Sequence, residues 1–305
     1  MTTPAAAPLL ERVAAAPISW GVCEVPGWGH QLPVARVLEE MHELGFTATE
    51  FGPDGFLPED PAARAATLRA HGLAAVGGFV PAVLHDPAND PLPALATALD
   101  AFVACGADTL VLAAATGRDG YEGRPDLDTA GWKTLLANLD HLAALAHARG
   151  ITATLHPHIG TMVEHEPEVL RVLDGAGIAL CLDTGHLLAG GTDPLALARR
   201  AADRIAHVHL KDVDTTAADQ VRAGRTSYAD AVARGMYRPL GHGDLDVPAL
   251  VRTLEAGGYR GWYVLEQDTV LHADPAPGQG PARDVRTGLD LLAALATGPG
   301  GTVAP

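Results

Sequence analysis

The feature that most constrains this chain is a rhythm. In "ELGF", "AHGL", "ACGA" and "ARGI", a stretch with helical spacing runs into a glycine and then at once into a short apolar segment. Glycine adopts the left-handed conformation that ends a helix at little cost, so each motif reads as a helix stop followed by a strand start. Repeated along the chain, that order means βα units, and βα units set their strands parallel. The predicted strands are residues 18–21, 47–51, 73–79, 109–113, 151–156, 178–183, 205–211 and 262–267. Predicted helices fill 34–44, 60–71, 92–105, 129–149, 166–174, 194–203 and 247–256, with a closing helix near 284–296. "TDPLALARR" shows the logic of a start: Asp193 caps, and Pro194 is a first helical residue that needs no N–H. Eight such strands suggest closure into an α/β fold, a single-domain (β/α)8 TIM barrel. The alternative is an open doubly wound sheet, but "WGVCEVPGWGH" lacks the glycine spacing of a nucleotide fingerprint. The barrel is expected over residues 17–297, with 1–16 a flexible extension and 298–305 a disordered tail.

At 305 residues and 48% hydrophobic, the chain can bury one large core. A net charge of −16 repels phosphate backbones and argues against a nucleic-acid partner. Three widely spaced cysteines with no CxxC pair fit a reducing cytoplasm and give no thiolate zinc site. No apolar stretch reaches membrane-spanning length, and the N-terminus lacks a secretion signal. The expectation is a cytoplasmic protein that meets small molecules, without nucleic acid or membrane, and with a homo-oligomer left open. Two long connections, 214–244 and 273–284, follow the last two strands and are expected as irregular loops at the barrel mouth.

Within "RIAHVHLKD", Ala206, Val208 and Leu210 alternate with His207, His209 and Lys211. If the apolar side faces the helices, two imidazoles and an ammonium face the barrel axis, where they need partners. The same alternation turns Thr154 and His156 inward in "ITATLHPHIG", Cys181 and Asp183 in "IALCLDTGH", and Val264 and Glu266 in "GWYVLEQD". His156, Asp183, His209 and Glu266 then arrive at the ends of four adjacent strands. Two imidazoles and two carboxylates make a metal set suited to Mn²⁺, Co²⁺, Zn²⁺ or Fe²⁺, less so to Mg²⁺. Glu50, His158, Glu164, His186 and Lys211 ring that set as candidate proton carriers and oxygen holders. His207, deeper, reads as a core histidine, and Cys181 as packing.

These segments resemble the xylose isomerase-like TIM-barrel superfamily of sugar isomerases and epimerases, and within it the inosose (2-keto-myo-inositol) dehydratase branch. "PISWGV", "LGFTATEFGP", "LCLDTGHLLAGGTDPLAL" and "DRIAHVHLKDV" carry the likeness, and within them "DTGH" and "HVHLKD", with the strand-eight Glu266, are shared across the superfamily. "HPHIGTMVE" and "SYADAVARGMYRPLGHGDLD" carry the narrower one. The resemblance implies a divalent metal, Mn²⁺ or Co²⁺ foremost, on Asp183, His209 and Glu266. The family's usual fourth ligand, a Glu, is His156 here, and Glu164 or His158 could serve instead. It further implies dehydration of a cyclic polyhydroxy ketone (a carbohydrate or cyclitol) through an enediolate. Catalysis would fall to His158, Glu164, His186, Lys211 and Glu266, and substrate binding to Glu50, Trp20, His158, His186 and Lys211. The competing reading is a metal-dependent ketose or sugar-phosphate isomerase/epimerase, with Arg222, Arg225 and Arg238 as phosphate anchors. A DNA-repair endonuclease of this fold conflicts with the acidic surface, and a non-catalytic barrel would bind no metal.

Overall fold

The structure, a computed structural model, describes residues 7–23, 25–118 and 120–297. Its main sheet runs β1 (Val13–Ala15), β2 (Ala48–Thr49), β3 (Ala74–Ala75), β4 (Gly77–Ala82), β5 (Thr109–Ala114), β6 (Thr152–Leu155), β7 (Ala179–Asp183) and β8 (Ile205–Leu210). Two short strands, β9 (Asp212–Val213) and β10 (Tyr237–Arg238), pair antiparallel outside it, and β11 (Tyr263–Leu265) completes the main sheet between β8 and β1. All pairings in the main sheet are parallel. Its two ends are β3 and β4, which Val76 alone separates. The Val76 N–H donates to Thr49 O and its carbonyl accepts from Thr109 N–H, so one residue joins the neighbours on both sides. The third strand is therefore a single bent stave, and the sheet is an eight-stave parallel barrel with helices outside, as the rhythm predicts.

Gly77 is what lets that stave bend. A Cβ there would lie 1.9 Å from the Thr109 carbonyl oxygen, a backbone atom that cannot swing away. Gly77→Ala is expected to destabilise the fold by about 1–3 kcal/mol, the cost of overpacking. Urea unfolding measures it, and an unchanged midpoint would show that the barrel closes without that close approach.

Alternation sorts the strands as expected. Val13, Ala15, Leu180, Leu182, Val208 and Leu210 join the large core between sheet and helices. Ala14, Ala48, Val76 and Val264 form a separate apolar cluster along the barrel axis. Two residues past Ala48 and Val264, on the same face, come Glu50 and Glu266. Small apolar side chains thus plug the barrel base, and the ionisable ones sit one layer above it.

Two expectations are corrected. The first strand is 13–15, inside the segment expected to be a flexible extension, and 17–20 forms a 3₁₀ turn instead. Pro17 opens that turn; with no N–H it makes a poor ladder residue. The weakly patterned "VAA" gave little strand signal. Residues 1–6 and the expected tail 298–305 lie outside the described residues. The connection 214–244 is not irregular: it holds helices Thr215–Arg222 and Tyr228–Ala233, capped by Asp214 and Ser227, and then β10. Among the described residues no helix is long and apolar enough to cross a membrane.

Candidate active site

Four residues stand where staves end, each still tied to the sheet. The amides of Glu50, His156 and Glu266 donate to Ala15, Leu112 and Leu210, and Asp183 pairs in register with His209. Backbone bonds therefore fix where these side chains start. Asp183 has two tasks. It ends β7 and caps the helix Thr184–Ala189, its Oδ1 accepting from the His186 amide at 2.8 Å. Its Oδ2 stays in the site, 3.1 Å from His156 Nε2, 3.5 Å from His209 Nδ1 and 3.4 Å from Lys211 Nζ.

His209 is oriented from behind. Its Nε2 lies 3.0 Å from Glu50 Oε1, which also holds His207 Nε2 at 2.8 Å. A proton on Nε2 in that bond leaves Nδ1 facing forward, 3.1 Å from Glu266 Oε2. His209 Nδ1 is buried yet makes no hydrogen bond, although two carboxylate oxygens flank it. The donor atoms of Asp183, His209 and Glu266 lie within 4.8 Å of one another, as do those of His156, Asp183 and His186. An orphaned nitrogen beside two carboxylates suits a divalent cation bound through nitrogen and oxygen. A histidine whose far nitrogen is held by a carboxylate is the usual way such a ligand is oriented.

Charge agrees. Glu50, Asp183 and Asp268 are buried and Glu266 nearly so, with one lysine, Lys211, among them. Burial alone would lower the His209 pKa, but the carboxylates of Glu266 and Glu50 outweigh it and hold it well above the ordinary value. Burial pushes Asp183, Glu266 and Glu50 up, but the nearby cations win. Lys211 holds Asp183 far down, while His209 leads in lowering Glu266, to about 2, and in holding Glu50 below the usual range. The cluster keeps a surplus of negative charge, which a divalent cation would offset. Cys181, although within reach of His156 and His209, is pushed up to about 11, chiefly by burial, and packs as a thiol.

Lys211 Nζ lies 2.7 Å from Asp268 Oδ1, 2.9 Å from Glu266 Oε2 and 3.1 Å from His186 Nε2. Its backbone is pinned by Thr184, which accepts from the Lys211 amide and donates to its carbonyl. His158 stacks on His186, ring centroids 3.8 Å apart. Its Nδ1–H donates to Ile159 O at 2.7 Å, so Nε2 keeps its lone pair.

Burial, with His156 and Lys211 nearby, lowers the His158 pKa to about 3. An unfolded histidine titrates near 6.5, so between those values the unfolded chain binds the extra proton and stability falls as pH drops. Without added metal, His158→Asn is expected to flatten stability against pH between about 4.5 and 6.5, by up to about 1.4 kcal/mol per pH unit. Urea titrations at stepped pH check it; equal slopes would absolve His158.

A cavity of about 490 Å³ opens over this cluster. One wall is ionisable, with His156, His158, His186, His209, Lys211 and Glu266. Phe51, Phe79 and Phe102 add apolar lining, Phe79 packing against His156 and His158. Two expected site residues lie elsewhere. Glu164 accepts from the Gly160 amide and pairs with Arg124, so it faces a loop rather than the cluster. Trp20 is fully buried and donates to Glu40, making it core. Glu50 reaches the cavity, but its Oε1 is occupied by the two histidines. The expected phosphate anchors are also engaged elsewhere: Arg222 with Asp219, Leu188 and Ala189, Arg225 with Gln220, and Arg238 with Asp214.

Sequence reasoning missed Asp268, Tyr228 and Tyr237. Asp268 was reachable, since it continues the inward phase of Val264 and Glu266. The tyrosines come from the 214–244 connection, where no strand alternation exists to reveal a direction.

The family model for the xylose isomerase-like TIM barrel matches residues 38–295. The rhizopine catabolism protein MocC of Rhizobium meliloti is 33% identical over 299 residues, covering 95% of this chain and 90% of that protein. The inosose dehydratase of Geobacillus kaustophilus is 32% identical over 279 residues, covering 87% and 88%. Among solved structures, the probable 3-DHS dehydratase AsbF of Bacillus anthracis superposes with a TM-score of 0.67 at 14% identity, covering 92% and 98%, a likeness of fold.

Proposed function

The chain belongs to the xylose isomerase-like TIM-barrel family, and on that premise we propose that it is a metal-dependent hydro-lyase acting on a cyclic polyhydroxy ketone, an inosose or related keto-cyclitol. It is an enzyme of carbohydrate-like substrates, as its relatives are. The observation that carries the dehydratase reading is the pairing of a mixed imidazole–carboxylate set with proton carriers on the same cavity wall. Asp183, His209, Glu266 and His156 would hold the divalent ion, with Mn²⁺ or Co²⁺ preferred for the two nitrogens. When bound, such an ion supplies Lewis-acid polarisation of the ketone.

The protein's own groups do the rest. His158 Nε2, whose lone pair the Ile159 bond leaves free, takes the proton from the carbon beside the ketone and, holding it weakly, passes it to the departing hydroxyl, which leaves as water. Lys211 Nζ, kept charged because three carboxylates outweigh burial, stabilises the developing negative oxygen. His186, at hydrogen-bond distance from Lys211, holds that ammonium in place. Phe51, Phe79 and Phe102 supply apolar surface for the carbon face of the substrate ring.

Incubation with 2-keto-myo-inositol and Mn²⁺ or Co²⁺ in D₂O tests the reading. Growth of the dione absorbance supports it. Deuterium uptake without loss of water would instead assign an isomerase or epimerase.

A further inference from the structure

Lys211 is the member of the polar cluster whose hydrogen-bond role is fixed, because an ammonium only donates. Its Nζ lies 3.1 Å from Nε2 of His186, so that nitrogen is the acceptor. A neutral imidazole then carries its proton on Nδ1. Nδ1 lies 3.3 Å from the Tyr237 hydroxyl, which therefore accepts. The Tyr237 proton is left to donate to the Tyr228 oxygen, 3.3 Å away. Tyr228 donates to Asp268 Oδ2 at 2.6 Å, and Asp268 Oδ1 accepts from Lys211 at 2.7 Å. The path returns to its start, and every proton on it has one direction.

We infer that Tyr237 and Tyr228 are positioning residues: through the closed ring Lys211–His186–Tyr237–Tyr228–Asp268 they hold His186 in its Nδ1–H tautomer and lock the Asp268 carboxylate. All five side chains are buried, so losing one leaves its partners short of a hydrogen bond. The ring also explains what the 214–244 connection adds to the site. Its second helix supplies Tyr228, and β10 supplies Tyr237. The Tyr237 ring lies 5.1 Å beneath the Lys211 ammonium, a second contact that holds the lysine.

The inference deepens the dehydratase reading and rests on it only for its kinetic part. The structural part is read by long-range ¹H–¹⁵N correlation spectra of histidine-labelled full-length protein, metal-free and Zn²⁺-loaded. His186 signals are assigned by difference from His186→Gln. The expected result is a protonated Nδ1 and an unprotonated Nε2 in the wild type, with the Nδ1–H resonance displaced in Tyr237→Phe. A proton on Nε2, or an Nδ1–H resonance unmoved by Tyr237→Phe, overturns the ring. The wild-type spectrum decides the tautomer whatever the variants do to folding. In turnover, Tyr228→Phe and Tyr237→Phe are each expected to lower kcat about tenfold, the equivalent of one net hydrogen bond, with KM held. Equal losses in kcat and gains in KM would point to general loosening and against positioning. A protein that turns over no keto-cyclitol removes the proposed reaction, while the spectra still decide the ring.

Discussion

Lys211→Met is expected to lose turnover and stability together. The ammonium lies within 3.4 Å of Asp183, Glu266 and Asp268, and it is 1% exposed. Methionine fills the space but leaves three carboxylates, two of them buried, without that cation. Removing one partner of a buried ion pair costs about 3–5 kcal/mol, because the stranded charge has no water to turn to. Loss of a positioned cation at a developing negative oxygen lowers kcat by about 10²–10³-fold. Urea unfolding and initial rates read the two effects separately. A variant as stable as the parent would show that the carboxylates are already neutral. One that turns over normally would take Lys211 out of the chemistry.

Asp183→Asn separates two tasks of one residue. Asparagine keeps an oxygen to accept from the His186 amide, so the helix cap survives. Its amide group replaces Oδ2, however, and points a donor at His156, His209 and Lys211. Divalent-ion affinity is expected to fall by more than the about 10–100-fold that loss of an outer partner costs, and activity with it. Asp183→Ala loses the same oxygen and the cap, worth a further ~0.5–2 kcal/mol of stability. Calorimetric metal titration and thermal unfolding of both variants check the prediction. Undiminished metal affinity in Asp183→Asn would move the ion away from β7.

Much of the candidate site was legible before any coordinates. His156, Asp183, His209 and Glu266 sit at strand ends in one phase, and the parallel ladder converts that phase into a shared space. The misreadings have local causes. Glu164 follows His158 closely, but the loop turns through Gly160 and gives its carboxylate to Arg124. Trp20 follows a turn rather than ending a strand, so its ring goes into the core.

Helix–glycine–strand spacing and period-two alternation by themselves determined the barrel and the inward direction of its acids and imidazoles. Both follow from backbone geometry, which repeats along the chain and can be counted. Only the tertiary structure decided that His209 turns Nε2 to Glu50 and Nδ1 to Asp183 and Glu266, that Asp268 shares Lys211, and that two tyrosines from a distant connection close a ring with His186. Those outcomes depend on which donor meets which acceptor across residues far apart in sequence, and no local pattern carries that information.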